Sequence, residues 1–344
     1  MNSTCLPDPI HAYGFPRWKH PIVRQCFLGH NVIFLKRGTA LPSQGTLVLW
    51  GMEAVPTGLV DTVKIIRLED GFLRSVGLGA DLMRSISWIL DRSGIYYNTQ
   101  ASSDLEQILL THAFDPALLD RAVALRARIT VAGLTKYNTG ATKWARPPSA
   151  KQVILVIGQV ESDASIKFGA AQINTNMALL RAVREANPNA CLLYKPHPDI
   201  VARLRLEGND EKNAPQWCNE IITDVAISTL FDAVDEVHVI TSLAGFEALL
   251  REKSVTCWGN PFYSGWGLTT DKAPTARPRR TLTLDALVAG TLIEYPLYLS
   301  RDGKRQISPE EALEELIAWR NEPRIPAWIL GIYRIFLRIF AGVR

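Results

Sequence analysis

Four short polar segments carry the residues that could do chemistry. Arg67–Gly79, RLEDGFLRSVGLG, sets Glu69, Asp70 and Arg74 behind an apolar run, among glycines that let a ligand approach the backbone. Gly158–Ser165, GQVESDAS, offers Gln159, Glu161 and Asp163. A carboxylate at such a place serves as a general base or a covalent nucleophile in glycosyl transfer, or Asp163 simply caps the helix that follows. Lys195-Pro196-His197-Pro198-Asp199 brackets a histidine between two prolines, so a point charge and a hydrogen-bond donor stand on stiff backbone, as anion binding requires. Thr241–Leu250, TSLAGFEALL, reads as a strand end running into a helix, with Ser242 as cap, Gly245 in the first turn and Glu247 beside it. A loop of glycines and aromatics, WGNPFYSGWGLTTD at 258–271, follows, and Trp266 is expected to wall a sugar site. The spacing GxGxxG of a dinucleotide fingerprint is absent from the first segment, and no clustered aspartate pair suggests a metal.

Each segment closes an apolar, strand-like run, and such runs alternate with helical ones, the pattern of α/β domains. NVIFLK, TLVLWG and TVKIIRLED read as strands, and DLEQILLTH and DPALLDRAVALRARITVAGL as helices, the second capped by Asp115. KQVILVIGQV, ACLLYKPHP, VHVITS and SVTCWGN form a second strand series, with helices at INTNMALLRAVREANP and AGFEALLREK. The polar, proline-bearing stretch 136–151 predicts a linker. With 344 residues, two Rossmann-like domains facing a cleft are expected, at 1–145 and 146–322, and a basic amphipathic helix at 323–344. Ligands in such sheets bind beyond the carboxyl ends of the strands, where the four segments lie.

Composition narrows the function classes. The hydrophobic fraction of 47% excludes a mainly disordered chain. The formal charge of +4 is a weak excess, and the four arginines of Arg324–Arg344, which has no acidic residue, account for all of it. A nucleic-acid partner is therefore not expected, whereas a terminal helix of arginines and aromatics suits a membrane surface. No signal peptide or membrane span is expected, and five cysteines without a CxxC pair fit a reduced, cytoplasmic protein.

Together the segments resemble one family, the KpsC-type capsular polysaccharide biosynthesis proteins, which are bacterial retaining β-Kdo glycosyltransferases. The likeness rests on EDGFLRSVGLGADL at 69–82, GQVESDAS at 158–165, YKPHPD at 194–199, TSLAGFEALL at 241–250 and CWGNPFYSGWGLT at 257–269, in order through most of residues 60–300. It implies a GT-B-like fold and retaining transfer of Kdo, an acidic eight-carbon sugar, from CMP-Kdo to a lipid-linked, Kdo-containing glycan. The site of action is then the inner face of the bacterial inner membrane, beside other capsule biosynthesis or export proteins. It implies a donor site at Lys195, His197, Pro198, Ser242, Gly245 and Glu247, and substrate contacts at Glu69, Asp70, Arg74, Gln159 and Trp266. Asp163 is the implied nucleophile, with Glu161 the competing assignment; no cofactor or metal is implied. KpsC-type proteins commonly carry two such modules, and this chain has room for one. A GT-B transferase with another sugar nucleotide, or a non-catalytic capsule export factor, are the alternatives.

Overall fold

The computed structural model describes residues 6–75, 85–136, 143–274 and 280–322. In chain order it contains β1 (Ile10–Tyr13), α1 (His20–Cys26), β2 (Val32–Leu35), β3 (Thr46–Trp50), β4 (Lys64–Asp70), β5 (Ser87–Asp91), α2 (Asp104–Thr111) and α3 (Pro116–Val131). The second series is β6 (Val153–Ile157), α4 (Ala164–Gly169), α5 (Asn176–Ala186), β7 (Cys191–Lys195), α6 (Pro198–Val201), β8 (Glu220–Ile221), α7 (Ile227–Ala233), β9 (Glu236–Val239), α8 (Leu243–Leu249), β10 (Ser254–Cys257) and β11 (Thr270–Asp271). α9 (Leu284–Val288), β12 (Leu297–Leu299), β13 (Gln306–Ile307) and α10 (Pro309–Asn321) complete it.

The strands form two sheets. One has the order β2-β1-β3-β4-β5-β12-β13, parallel from β2 to β4 and antiparallel beyond. The other is wholly parallel, in the order β8-β7-β6-β9-β10-β11. Numbered from β6, that is 3-2-1-4-5-6, the doubly wound order whose direction reverses between β6 and β9. All five residues of β6, Val-Ile-Leu-Val-Ile, are buried, as a central strand covered on both faces demands.

The helices begin where the sequence offers caps. Asp115 accepts from Leu118 N at 2.9 Å ahead of Pro116, and Ser308 and Glu311 close a capping box on α10. Beyond the linker stretch, β12 pairs with β5 and β13 with β12, and so both extend the first sheet, not the second. The strands β1, β5, β12 and β13 were not legible as strands, and the terminal helix read at 323–344 lies outside the described residues. One apolar core spans both sheets: Phe72 lies 4.7 Å from Phe262 and 6.4 Å from Phe246, ring centroid to centroid. Among the described residues no helix is long and apolar enough to cross a membrane.

Candidate functional site

Beyond β6 the chain meets the reversal point of the second sheet, and a buried network fixes it there. Gly158 N donates to Lys195 O at 2.9 Å, and a Cβ on Gly158 would stand 2.6 Å from Tyr194 Oη, so a side chain does not fit. Gln159 spans the reversal: its Oε1 accepts from Thr241 N at 2.8 Å and its Nε2 donates to Thr241 Oγ1 at 3.2 Å. Asn176 locks the backbone of Gln159 from both sides, accepting from its N and donating to its O, each at 2.9 Å. Glu161 is equally committed. Its Oε1 accepts from Asn176 N at 2.8 Å and its Oε2 from Asn209 N at 2.9 Å. Glu211 continues the brace, accepting from Gly208 N at 2.8 Å and from Tyr194 Oη.

Asp163 differs from its neighbour two residues back. It occupies the cap position of α4, yet its side chain caps nothing, and it is 40% exposed. Its ionic neighbour is Arg205, 3.8 Å away. A carboxylate left uncommitted on a rigidly held turn is available for chemistry; one that has spent both oxygens on backbone N–H groups is not.

His197 stands among cations, one of which is the Arg205 that neighbours Asp163. Burial first, then the charges of Lys136, Arg205 and Arg74, hold His197 down to about 3. The ring is neutral at physiological pH. Because Nδ1 accepts from Asp199 N at 3.2 Å, the single ring proton sits on Nε2. Asp199, 6% exposed, is pushed up by burial against the pull of the same three cations. Lys195, lowered to about 8 by burial, donates to Val225 O at 2.7 Å. Pro198 starts the short helix α6 that His197 caps.

The first sheet contributes the other wall. Arg74 Nη2 donates to Asp70 Oδ2, and Glu69 accepts from Asp70 N at 3.0 Å and from Tyr97 Oη at 3.2 Å. Burial, then the Asp70 charge, raises Glu69 to about 7. Tyr96 links the walls: burial raises its hydroxyl well above the usual range, followed by the charge of Glu69, with Asp70 and Asp163 adding to it. Its ring packs on both Phe72, at 4.9 Å, and Phe262, at 5.7 Å, centroid to centroid. A cavity of ≈ 20 Å³ is bounded by Phe72, Arg74, Thr135, Phe246 and Glu247 among others.

Several expected contacts turn out to be structural. Trp266 is 1% exposed and donates Nε1 to Phe262 O at 2.8 Å: it is a core residue, not a sugar wall. Gln159 is 5% exposed with its amide consumed across the reversal, so it positions the loop instead of touching substrate. Gly245 makes room for Tyr263, whose Oη would lie 2.2 Å from an added Cβ. Ser242 Oγ caps Ala244 N at 3.2 Å. Glu247, raised to about 7 by burial, accepts from Lys136 N at 2.5 Å and so ties the segment after α3 to α8. Lys19, Lys136, Arg205 and Tyr96 were missed. Each stands outside the segments with recognisable spacing, and only the three-dimensional charge balance points to them. Residues 76–79 of the first segment lie outside the described residues.

A groove of ≈ 660 Å³ is lined by residues including Leu6, Val55, Val60, Lys64 and Arg92, at the opposite end of β4 from Asp70. None of the site residues lines it. No group of three His, Cys, Asp or Glu side chains among the described residues is placed to hold a metal ion.

Comparisons with known proteins bear on the family and the fold. The family model described as capsule polysaccharide biosynthesis protein matches residues 59–298. The capsule polysaccharide modification protein LipA of Neisseria meningitidis serogroup B is 45% identical over 259 residues, covering 75% of this chain and 37% of LipA. The chain thus spans little more than a third of that relative. The lipopolysaccharide-processing protein LpsZ of Rhizobium meliloti is 37% identical over 329 residues, covering 91% of this chain and 75% of LpsZ. Two structures from Thermosulfurimonas dismutans KpsC superpose. The beta Kdo 2,7 transferase has a TM-score of 0.76 and 37% identity, covering 91% of this chain and 100% of that one. The beta Kdo 2,4 transferase has a TM-score of 0.75 and 28% identity, covering 89% and 97%.

Proposed function

The chain belongs to the capsule polysaccharide biosynthesis family of KpsC type, and from that membership and the site we propose that it is a retaining glycosyltransferase that moves Kdo from CMP-Kdo to an acidic, lipid-linked glycan. The observation that carries the mechanism is the contrast between the two carboxylates after β6, with Glu161 spent on backbone amides and Asp163 uncommitted.

In the first step an Asp163 oxygen attacks the anomeric carbon, the bond to the phosphate oxygen breaks, and CMP leaves with the electron pair. In the second, an acceptor hydroxyl attacks the same carbon from the opposite face, its proton passes to solvent, and the bond to Asp163 breaks to restore the carboxylate. Two inversions give retention. The leaving phosphate needs charge stabilisation more than protonation. Neutral His197 offers an Nε2–H, and Lys136 and Arg205 offer positive charge beside it. Arg74, already turned to Asp70, stands where it also serves the donor's carboxylate. These residues provide for the anion without a metal or cofactor. Work at the inner membrane surface, in company with other capsule biosynthesis or export proteins, belongs to the same proposal, with the 323–344 segment as the anchor.

Of the two KpsC relatives, this chain is more similar to the 2,7 transferase, at 37% against 28% identity, so the proposed linkage is 2,7. The test is incubation with CMP-Kdo and a Kdo-terminated acceptor. The expected result is CMP release with a β-linked product, 2,7 by linkage analysis. A folded protein that neither releases CMP nor extends the acceptor refutes the proposal, and a 2,4 product refutes the linkage.

A further inference from the structure

The stretch from Pro9 to Met52 holds Arg17, Lys19, Arg24, Lys36 and Arg37 and no acidic residue. The net balance of the chain outside its last 21 residues conceals this local excess, and the fold concentrates it. β1, β2 and β3 are parallel neighbours, so the segments leaving their carboxyl ends meet on one edge. β4, parallel to β3, delivers Glu69 and Asp70 to the same edge.

The centre of that edge is built of aromatics and one recessed cation. Lys19 Nζ lies 2.7 Å from the centroid of the Trp50 ring and 5.1 Å from that of Trp18. Trp50 is held edge-on by Phe15 at 6.2 Å, and Trp18 is 46% exposed. Arg67 fixes the turn after Trp50, donating to Gly51 O at 2.5 Å and to Glu53 O at 3.0 Å. Arg37 pairs with Glu53 at 2.7 Å. The shelf is continuous with the site already described, because the charges of Asp70, Glu69 and Arg74 all act on Lys19.

Indole faces stack on the apolar faces of sugar rings, and an ammonium between two indoles pairs with a carboxylate. A neutral glycan would have no use for the cations. A flat membrane would be met by projecting side chains, whereas Lys19 is sunk against Trp50, and burial lowers it to about 8.

We propose that Trp18, Lys19 and Trp50 form a subsite for the acceptor sugars behind the one that is extended, and that those sugars carry carboxylates. The proposal rests on the acidic-acceptor reading given above. The experiment uses soluble glycosides bearing one, two or three Kdo residues, with the wild-type chain, Trp18→Ala, Lys19→Met and Lys19→Arg. In the wild type, the acceptor KM falls as the glycan lengthens. Trp18→Ala and Lys19→Met each raise KM for the trisaccharide by about tenfold and for the single sugar by less than about twofold, and Lys19→Arg retains most of the gain. Trp18 is exposed, so its removal leaves folding intact and keeps the test decisive. Variants whose trisaccharide KM equals the wild-type value overturn the proposal. So does loss of binding to phosphatidylglycerol-containing vesicles by Trp18→Ala with KM unchanged, which would assign the shelf to the membrane. Calorimetric titration of the trisaccharide separates this inference from its premise. Binding that Lys19→Met abolishes supports the shelf even if CMP-Kdo is not the donor, and no binding to the wild type overturns it.

Discussion

The two carboxylates of the GQVESDAS segment should respond to mutation in opposite ways. Glu161→Ala removes the acceptor for Asn176 N at 2.8 Å and for Asn209 N at 2.9 Å. A hydrogen bond to a charged group contributes about 1.5–3 kcal/mol when buried, and water reaches this half-buried pair in part, so a combined loss of about 2 kcal/mol is expected. For a chain of this size that lowers Tm by about 3 °C. Asp163→Ala forfeits a single ion pair of 3.8 Å on a 40% exposed side chain, with no cap, and stability should stay within about 0.5 kcal/mol of wild type. Transfer, however, should fall by about 10⁴-fold or more, as loss of a covalent nucleophile demands.

The assay pairs thermal unfolding with transfer from CMP-Kdo. Peptide mass spectrometry of protein incubated with donor alone adds a direct readout, and a sugar adduct is expected on the peptide that contains Asp163. The reasoning is refuted if Asp163→Ala retains transfer while Glu161→Gln loses it at an unchanged Tm, or if the adduct maps to Glu161.

Three further outcomes follow from the same structure. Lys195 is depressed by burial to about 8, so if its charge helps hold the donor phosphate, the KM for CMP-Kdo rises as pH passes upward through about 8; a KM flat from pH 7 to 9 removes Lys195 from the donor site. Glu247 is raised by burial to about 7, so its protonated form favours the fold: stability relative to Glu247→Gln is greatest below the ordinary carboxyl range and is lost as pH rises through about 7, by about 3 kcal/mol at most, read from denaturant midpoints of both proteins at pH 5 and 8. Gly245→Ala places a methyl against Tyr263 and should cost about 1–3 kcal/mol, measured as a lower denaturation midpoint, while Ser242→Ala, a lost cap, costs about 1 kcal/mol.

The second sheet was legible because its strands are short, continuous apolar runs with polar ends. VILVI has no polar face and can only be central, and the residues after it fall at the reversal point by topology alone. β1 was not legible: His11 interrupts a four-residue strand wedged among prolines and glycine, and only pairing on both sides makes it an interior strand of its sheet. β12 was hidden for another reason, since its partner β5 lies some two hundred residues earlier and no local pattern encodes that return. For the site, residue type marked the places but not the roles. Glu161 and Asp163 are interchangeable in a motif, and only Asn176 and Asn209, 15 and 48 residues beyond Glu161, tell them apart by claiming both of its oxygens. Trp266 misled because an aromatic between glycines looks the same whether it lines a cleft or fills a core.

The cations around His197 also say how the two sheets act together. Arg74 follows β4 of the first sheet, Lys136 follows α3 in the connection, and Arg205 follows α6 of the second sheet. Like charges brought together from three segments repel, and a protonated His197 would add to the repulsion; its very low pKa keeps that fourth charge away. Asp70, Asp163 and Asp199 offset part of the excess, but Asp199 is itself pushed toward neutrality by burial. On the proposed reading, the donor's phosphate and sugar carboxylate would supply the missing negative charge to all three segments at once, and replacing Arg74 should weaken donor binding, measured by calorimetric titration with CMP-Kdo, although every element of the doubly wound fold remains in place.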